Sequence, residues 1–327
     1  MNIYITRKIP QSGINPLIDK GYAVEIQPED RPATKEEIIN GVKGVDALLC
    51  LLTDKIDGEI MDAGLLTSPT GGPTLKIIAN YAVGFENIDL EAAKQRNIMV
   101  TNTPGVLTNS VAEHTFTLML AISHRIAEAD RFSREGKYKA WGPELLLGND
   151  LSGKTLGVVG LGRIGSRVAF HAVKGFEMKV LYTDPKPNPD FEKEYGAIYV
   201  QNLDDLLPKC DYISIHVPLL DSTHHLINEN RLKLMKPTAY LINTSRGPIV
   251  DEKMLAMALK EDWIKGAAID VFEFEPEITP GLKELENIIL TPHIASATEE
   301  TRSKMAELAA INIIEALEGR VPPNLIK

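Results

Sequence analysis

The chain has little that would crosslink it, anchor it in a bilayer or draw it to a polyanion. It holds two cysteines, Cys50 and Cys210, each in or beside an apolar run. Two thiols so placed make no disulfide framework and no metal-ligand spacing, so buried free thiols are expected. No apolar stretch approaches the roughly 18 residues that a membrane span needs. The opening run Met1–Arg7 reads as a strand followed by charge rather than as a leader peptide. Positive charge is also short. Against 45 Asp and Glu stand 35 Lys and Arg, a net charge of −10, and the cations are scattered rather than clustered, which argues against a nucleic-acid surface. A soluble, cytoplasmic protein is the expectation. With 327 residues, 44% of them hydrophobic, there is enough chain for two domains with real cores.

What is present is a rhythm of short β-rich runs. Ile3–Thr6, Tyr22–Gln27, Ala47–Leu52, Leu75–Val83 and Ile98–Asn102 occupy the first third. Thr155–Val159, Val180–Thr183, Tyr212–Val217, Ala239–Asn243, Ala267–Val271 and Ile288–Leu290 follow. Helical stretches separate most of them, which implies βα units and parallel sheets. The halves echo each other: Val45–Thr53 resembles Cys210–Pro218 in pattern, and the run from Leu75 to Gly84 parallels that from Ala239 to Gly247. Two related, doubly wound α/β domains are predicted. The longest helical pattern runs from Thr108 to about Arg131, after the break Thr103-Pro104-Gly105; a matching break, Thr291-Pro292, precedes His293 and a final helix over about Glu299–Leu317. These breaks predict a first domain of residues 1–103 and 293–327, with a nucleotide domain of 104–292 inserted. The stretch Phe132–Asp150 is poorly periodic, and its Trp141 would either pack in its own core or sit on a dimer arm.

A nucleotide site is written into the middle of the chain. Lys154–Val159 runs straight into Gly160-Leu161-Gly162-Arg163-Ile164-Gly165 and then into the helix-like Ser166–Lys174. In such a fingerprint the first glycine permits a tight turn and the second lets backbone approach a pyrophosphate. The third allows close helix–strand packing, with the helix N-terminus facing the phosphates. The next strand ends in Asp184, about twenty residues on, where a carboxylate can accept bonds from the adenosine ribose. Downstream, three polar residues each follow an apolar, strand-like run: Arg246, Glu275 and His293. Ligands of parallel sheets bind beyond the carboxyl ends of the strands. A cation, a carboxylate and an imidazole delivered there form a candidate acid–base site with a carboxylate clamp.

Read together, Gly160–Gly165, Asn243-Thr-Ser-Arg246-Gly247, Asp270-Val-Phe-Glu-Phe-Glu275-Pro276 and Thr291-Pro-His293 make the chain resemble the D-isomer-specific 2-hydroxyacid dehydrogenases over nearly its whole length. Leu51–Asp57, Asn80–Phe85, Thr103–Thr108 and Trp141–Gly148 are closest to the branch of glyoxylate and hydroxypyruvate reductases. The resemblance implies a Rossmann nucleotide-binding domain inserted in a flavodoxin-like substrate domain, NAD as cofactor, a small 2-oxo or 2-hydroxy acid as substrate, and a homodimer.

It also implies roles. Arg246 would bind the substrate carboxylate and polarise the 2-oxo group. His293 would donate the proton, and Glu275 would favour the imidazolium. The amides of Val83 and Gly84 would contribute to carboxylate binding. Asp270 would orient the nicotinamide carboxamide, and His216, Val217, Pro218, Thr244 and Ser245 would line the cofactor pocket. Thr108 would serve there too, although it could equally be a helix N-cap, as His216 could simply cap a strand.

Two departures from the family pattern stand out. The loop Leu65–Thr74 is long for the family and is expected at the amino end of its sheet, without a catalytic role. Some relatives that use NADPH carry Ser, Thr or Arg where this chain has Asp184-Pro185, which points to NADH. D-3-phosphoglycerate and D-lactate dehydrogenases share the three polar residues, as do corepressor-like proteins that sense NAD on this fold. These stay open as alternatives.

Overall fold

The structure, a computed structural model, describes residues 1–65 and 75–326; nearly all of the long loop expected at 65–74 lies outside the described residues. The chain divides into two compact units, Met1–Leu107 with Ala297–Lys327, and Thr108–Ser296.

The first unit alternates strand and helix: β1 (Asn2–Ile5), α1 (Gln11–Asp19), β2 (Ala23–Ile26), α2 (Lys35–Gly41), β3 (Ala47–Cys50), α3 (Gly58–Leu65), β4 (Ile77–Asn80), α4 (Leu90–Gln95) and β5 (Met99–Thr101). Every strand must cross over to a parallel neighbour, and helices supply the crossovers. The sheet order is β2-β1-β3-β4-β5, the flavodoxin-like order. Every residue of β3 and β4 is buried, as expected of strands covered on both faces. Cys50 is among them, a free thiol. β4 is shorter than the run Leu75–Val83 suggested. Asn80, buried at its end, donates from Nδ2 to the Gly84 carbonyl (2.8 Å) and turns the chain.

The second unit holds α5 (Thr108–Ser123), α6 (Ile126–Arg134), β6 (Thr155–Val159), α7 (Arg163–Phe176), β7 (Lys179–Thr183), α8 (Pro189–Tyr195), β8 (Ile198–Tyr199), α9 (Leu203–Leu206), β9 (Tyr212–Ile215), α10 (Glu229–Leu234), β10 (Tyr240–Asn243), α11 (Glu252–Lys260), β11 (Gly266–Ile269) and β12 (Ile288–Leu290). Its order is β12-β11-β10-β9-β6-β7-β8. Strand order therefore reverses between β6 and β9, the switch point at which such sheets bind ligands. The echo between the halves has its counterpart here. β9 lies beside β6 as β3 lies beside β1, and β10 follows β9 as β4 follows β3. The chain then returns to the first unit as α12 (Glu299–Leu317), which packs on α1 and β4.

Two expectations need correction, and one that was left open is decided. The helix predicted from Thr108 to about Arg131 is two helices, broken where Arg125 takes a left-handed conformation (φ 56°). The Ser123 carbonyl, which the next turn of α5 would use, instead accepts the Asn149 N–H (2.9 Å). The unit boundaries fall after Leu107 and Ser296 rather than after 103 and 292. The second shift has a local cause, since the Ile294 and Ala295 amides donate to the Asp270 carboxylate (2.9 and 2.8 Å) and hold that segment to the second unit. Trp141 does not pack in its own core, because it is 79% exposed.

The turn from β6 to α7 is packed backbone against backbone. A Cβ on Gly165 would lie 2.0 Å from the Gly160 carbonyl oxygen, a backbone atom that cannot swing aside. Overpacking of this kind costs about 1–3 kcal/mol. Gly165→Ala is expected to lower stability by at least that amount, read as an earlier midpoint in urea unfolding; an unmoved midpoint would refute the packing.

Candidate active site

The glycine loop takes the form that phosphate binding requires. Gly160 has φ 93°, a left-handed value that L side chains avoid, and a Cβ there would meet the His216 carbonyl at 2.8 Å. A Cβ on Gly162 would meet nothing within 4 Å, so its face is open. Gly162 is also the N-cap of α7 and makes no side-chain cap, which leaves the first-turn amides of Arg163, Ile164 and Gly165 pointing outward. Open space over exposed helix amides fits a dinucleotide pyrophosphate. At the end of β7, Asp184 accepts the Leu161 N–H (2.8 Å) and the Lys186 N–H (3.3 Å), which places its carboxylate beside the loop.

The three polar residues arrive from adjacent strands, β10, β11 and β12. Nδ1 of His293 lies 3.1 Å from Glu275 Oε2. An ionised carboxylate can only accept, so Nδ1 carries the proton and Nε2 is the outward ring nitrogen. The other oxygen, Oε1, accepts the Phe272 N–H (3.1 Å). Burial pushes the Glu275 carboxyl up; its bond to His293, the His293 and Arg246 charges and the Phe272 amide together hold it below the usual range. Arg246 donates from Nη1 to the Ser245 carbonyl (2.8 Å). His293 itself has φ 54°, a rare conformation for a non-glycine residue.

Asp270 accounts for that conformation. Its side chain is fully buried, and its oxygens accept the Thr291 hydroxyl (2.6 Å) and the Ile294 and Ala295 amides (2.9 and 2.8 Å). Its backbone carbonyl accepts the His293 N–H (2.8 Å). His114, on α5, brings Nε2 to 3.4 Å from Oδ1. The expected role, orienting a carboxamide, does not follow from this geometry; what the carboxylate visibly does is grip the chain on both sides of His293.

Other expected pocket residues divide by behaviour. His216 turns its ring back onto Ser214 Oγ (2.7 Å), and burial pushes it down to about 3, so it is neutral. The Ser245 hydroxyl donates to the Val217 carbonyl, and the Thr223 hydroxyl donates to the carbonyl of the exposed Pro218 (2.7 Å). Thr244 Oγ1 meets Thr115 Oγ1 of α5 at 2.9 Å. Thr108 is the first residue of α5. Val83 and Gly84 belong to the other unit, where their carbonyls accept Asn102 Nδ2 (2.7 Å) and Asn80 Nδ2 (2.8 Å).

Gly247 closes the motif that contains Arg246, yet sequence reading assigned it no role of its own. A Cβ there would be 2.0 Å from the carbonyl carbon and oxygen of Phe272, so only glycine lets the Arg246 loop lie against the Glu275 loop. The Arg-Gly pair at a strand end was the available signal. His114 had none, since its partner is 156 positions away (270 − 114).

Residues 116–295 match the NAD-binding domain of the D-isomer specific 2-hydroxyacid dehydrogenases. The chain belongs to this family. Proteins called glyoxylate reductase in Korarchaeum cryptofilum and Pyrococcus furiosus are 50% and 47% identical to it, over 99% of this chain and 95% and 94% of theirs. A crystal structure of a Thermus thermophilus protein is 42% identical, with a TM-score of 0.92 over 100% of both chains. A glyoxylate reductase structure from Paecilomyes thermophila is 29% identical, with a TM-score of 0.85 over 100% of this chain and 98% of that one.

For this dehydrogenase the electrostatics carry a pH signature. Burial pushes Asp270 up, but His114, the Thr291 hydroxyl and the Ile294 and Ala295 amides together hold it low. Asp270 and Glu275 therefore contribute stability that is complete above their unfolded values, about 3.9 and 4.3. It is lost as pH falls through the lower, folded values. Asp270→Asn removes charge-assisted bonds and is expected to cost about 1.5–3 kcal/mol at neutral pH. The gap to the unsubstituted protein should narrow toward about pH 3. Urea unfolding at both pH values checks this, and a gap of constant width rejects the assignment.

Proposed function

We propose that the protein reduces glyoxylate and hydroxypyruvate to the corresponding 2-hydroxy acids with NADH. The observation that carries the reading is the Glu275–His293 pair, held at the carboxyl ends of β11 and β12 in the same unit as the open glycine loop. NADH, with its pyrophosphate held by the glycine loop, would supply the hydride that the 2-oxo carbon takes up.

Everything else falls to the chain's own residues. Arg246 takes the substrate carboxylate and polarises the 2-oxo oxygen with its planar, permanently charged fork. His293, with Nδ1 tied to Glu275, gives the proton on Nε2 to that oxygen. Glu275 keeps the ring oriented and stabilises its cationic form. Asp184 receives the adenosine ribose. The names of the relatives from Korarchaeum and Pyrococcus support glyoxylate as the substrate.

The same reading extends to assembly and location. Trp141, Leu147 and Tyr138, exposed at 79%, 62% and 56%, lie close together in sequence on the segment that follows α6. Apolar side chains gathered in this way suit a homodimer contact. The expected cytoplasmic location belongs to the same proposal; among the described residues no helix is long and apolar enough to cross a membrane.

NADH oxidation measured in parallel with glyoxylate, hydroxypyruvate, pyruvate and 3-phosphohydroxypyruvate tests the substrate class, and the first two are expected to give the highest kcat/KM. In the same assay His293→Ala should lower kcat by about 10²–10⁴-fold, the range of general acid catalysis. NADH binding, followed by fluorescence, should hold. Near-normal turnover of the variant removes His293 from the reaction.

Cofactor choice follows from Asp184. NADP carries a phosphate on the adenosine ribose, and a carboxylate there repels it while Pro185 offers no backbone donor. Like charges in a binding site cost several kcal/mol, and about 1.4 kcal/mol is tenfold. A preference for NADH of roughly a hundredfold or more in kcat/KM is expected, and Asp184→Ser should erode it. Equal use of NADPH by the unsubstituted protein contradicts this role.

A further inference from the structure

One further group of metal-ligating side chains is gathered by the fold among the described residues: His224, His225 and Glu273. No sequence spacing announces it. The histidines lie in the loop after β9 and the glutamate in the loop after β11, so the group forms at the carboxyl end of the sheet. One ligand atom from each residue lies within 4.8 Å of the others. The two imidazole rings are 4.1 Å apart and tilted by 31°. Nε2 of His225 is 2.7 Å from Glu273 Oε1.

The arrangement is held from behind. His225 takes a left-handed backbone (φ 48°), uncommon for a residue with a side chain, and its N–H donates to the Pro248 carbonyl (2.8 Å). Asp251 Oδ2 stands 3.9 Å from its Nδ1, on the far edge of the ring. Glu273 is anchored twice to Glu252. Its N–H donates to Glu252 Oε1 (2.8 Å), and its Oε2 accepts the Glu252 N–H (3.3 Å). His224, by contrast, is exposed and gives access from solvent.

We propose that His224, His225 and Glu273 form a binding site for a late first-row divalent cation of the Zn²⁺ class, and that its occupation inhibits the enzyme. Two imidazoles and one carboxylate are a zinc ligand set that keeps an open position; Mg²⁺ prefers oxygen ligands and is excluded. The metal takes the place of the hydrogen bond between His225 Nε2 and Glu273 Oε1. Glu273 lies between Phe272 and Glu275, the two ends of a bond that positions the catalytic carboxylate. His225 Nε2 and Glu273 Oε1 stand 2.7 Å apart, and a cation bonded to both at about 2.0 Å spreads them to about 3.3 Å, which moves that loop and lowers turnover. Binding stands independently of the catalytic assignment of Glu275; only the inhibition rests on it.

Calorimetric titration of the metal-stripped, full-length protein with ZnCl₂, NiCl₂ and MgCl₂ tests the site. One equivalent of Zn²⁺ and of Ni²⁺ is expected, and none of Mg²⁺. His224→Ala, an exposed change compatible with folding, and Glu273→Gln should each weaken Zn²⁺ binding by roughly tenfold or more. No saturable Zn²⁺ binding, or binding undiminished in His224→Ala, overturns the site. Zn²⁺ should also slow NADH oxidation by the unsubstituted enzyme while leaving His224→Ala untouched. Binding without inhibition, or equal inhibition of both, overturns the link to Glu275.

Discussion

The Asp270 carboxylate accepts the Thr291 hydroxyl and the amides of Ile294 and Ala295, while its carbonyl accepts the N–H of His293. A buried carboxylate without partners costs far more than it returns, so these donors are the condition under which Asp270 can be buried at all. In satisfying it, the chain must wrap tightly around the residue between them. That residue is His293, whose left-handed backbone follows from the wrapping. The conformation costs of order 1–3 kcal/mol and persists because its surroundings over-determine it. The backbone geometry of His293 is thus set by its own N–H bond to Asp270 together with bonds made by Thr291, Ile294 and Ala295 on either side of it.

A second constraint acts between adjacent strands. Gly247 lets the loop after β10 touch the loop after β11 backbone to backbone. Arg246 and Glu275 are fixed relative to one another by this contact, which has no flexible side chain in it to give way. Against the effect of burial, the bond to His293, the His293 charge, the Phe272 amide and, last, the Arg246 charge hold the carboxyl of Glu275 low. An ionised Glu275 is what fixes the tautomer of His293. Close packing and charge therefore serve one end, a rigid imidazole with a defined donor nitrogen.

Much of this was legible in the chain. The strand–glycine–helix pattern at 154–174 and the apolar runs ahead of Arg246, Glu275 and His293 are local signals, and local signals survive in a single sequence. The dual winding was legible as well, because strands of parallel sheets are written as apolar runs with helical spacers. What escaped was decided at a distance. Arg125 breaks a helix that the hydrophobic pattern carries through, because Asn149 takes the Ser123 carbonyl. The grip of Asp270 on the chain around His293 was hidden as well, because its donors come from residues 291–295 and from His114 on another helix. Trp141 was open between core and surface, and only its surroundings could decide.

The placement of α12 has a consequence for how the molecule is made. Gly13 of α1 is so close to α12 that a Cβ there would lie 2.6 Å from the Ala306 carbonyl oxygen. One face of the first unit is therefore built from a segment synthesised long after the rest of it. At about 5–20 residues per second, the ribosome needs about 10–40 s to travel from the end of β5 to the end of α12. The nucleotide unit is continuous and can close during that interval. The unit that begins first in the chain is completed last, and until then the apolar faces of α1 and β4 wait uncovered, exposed to capture by chaperones or by other nascent chains.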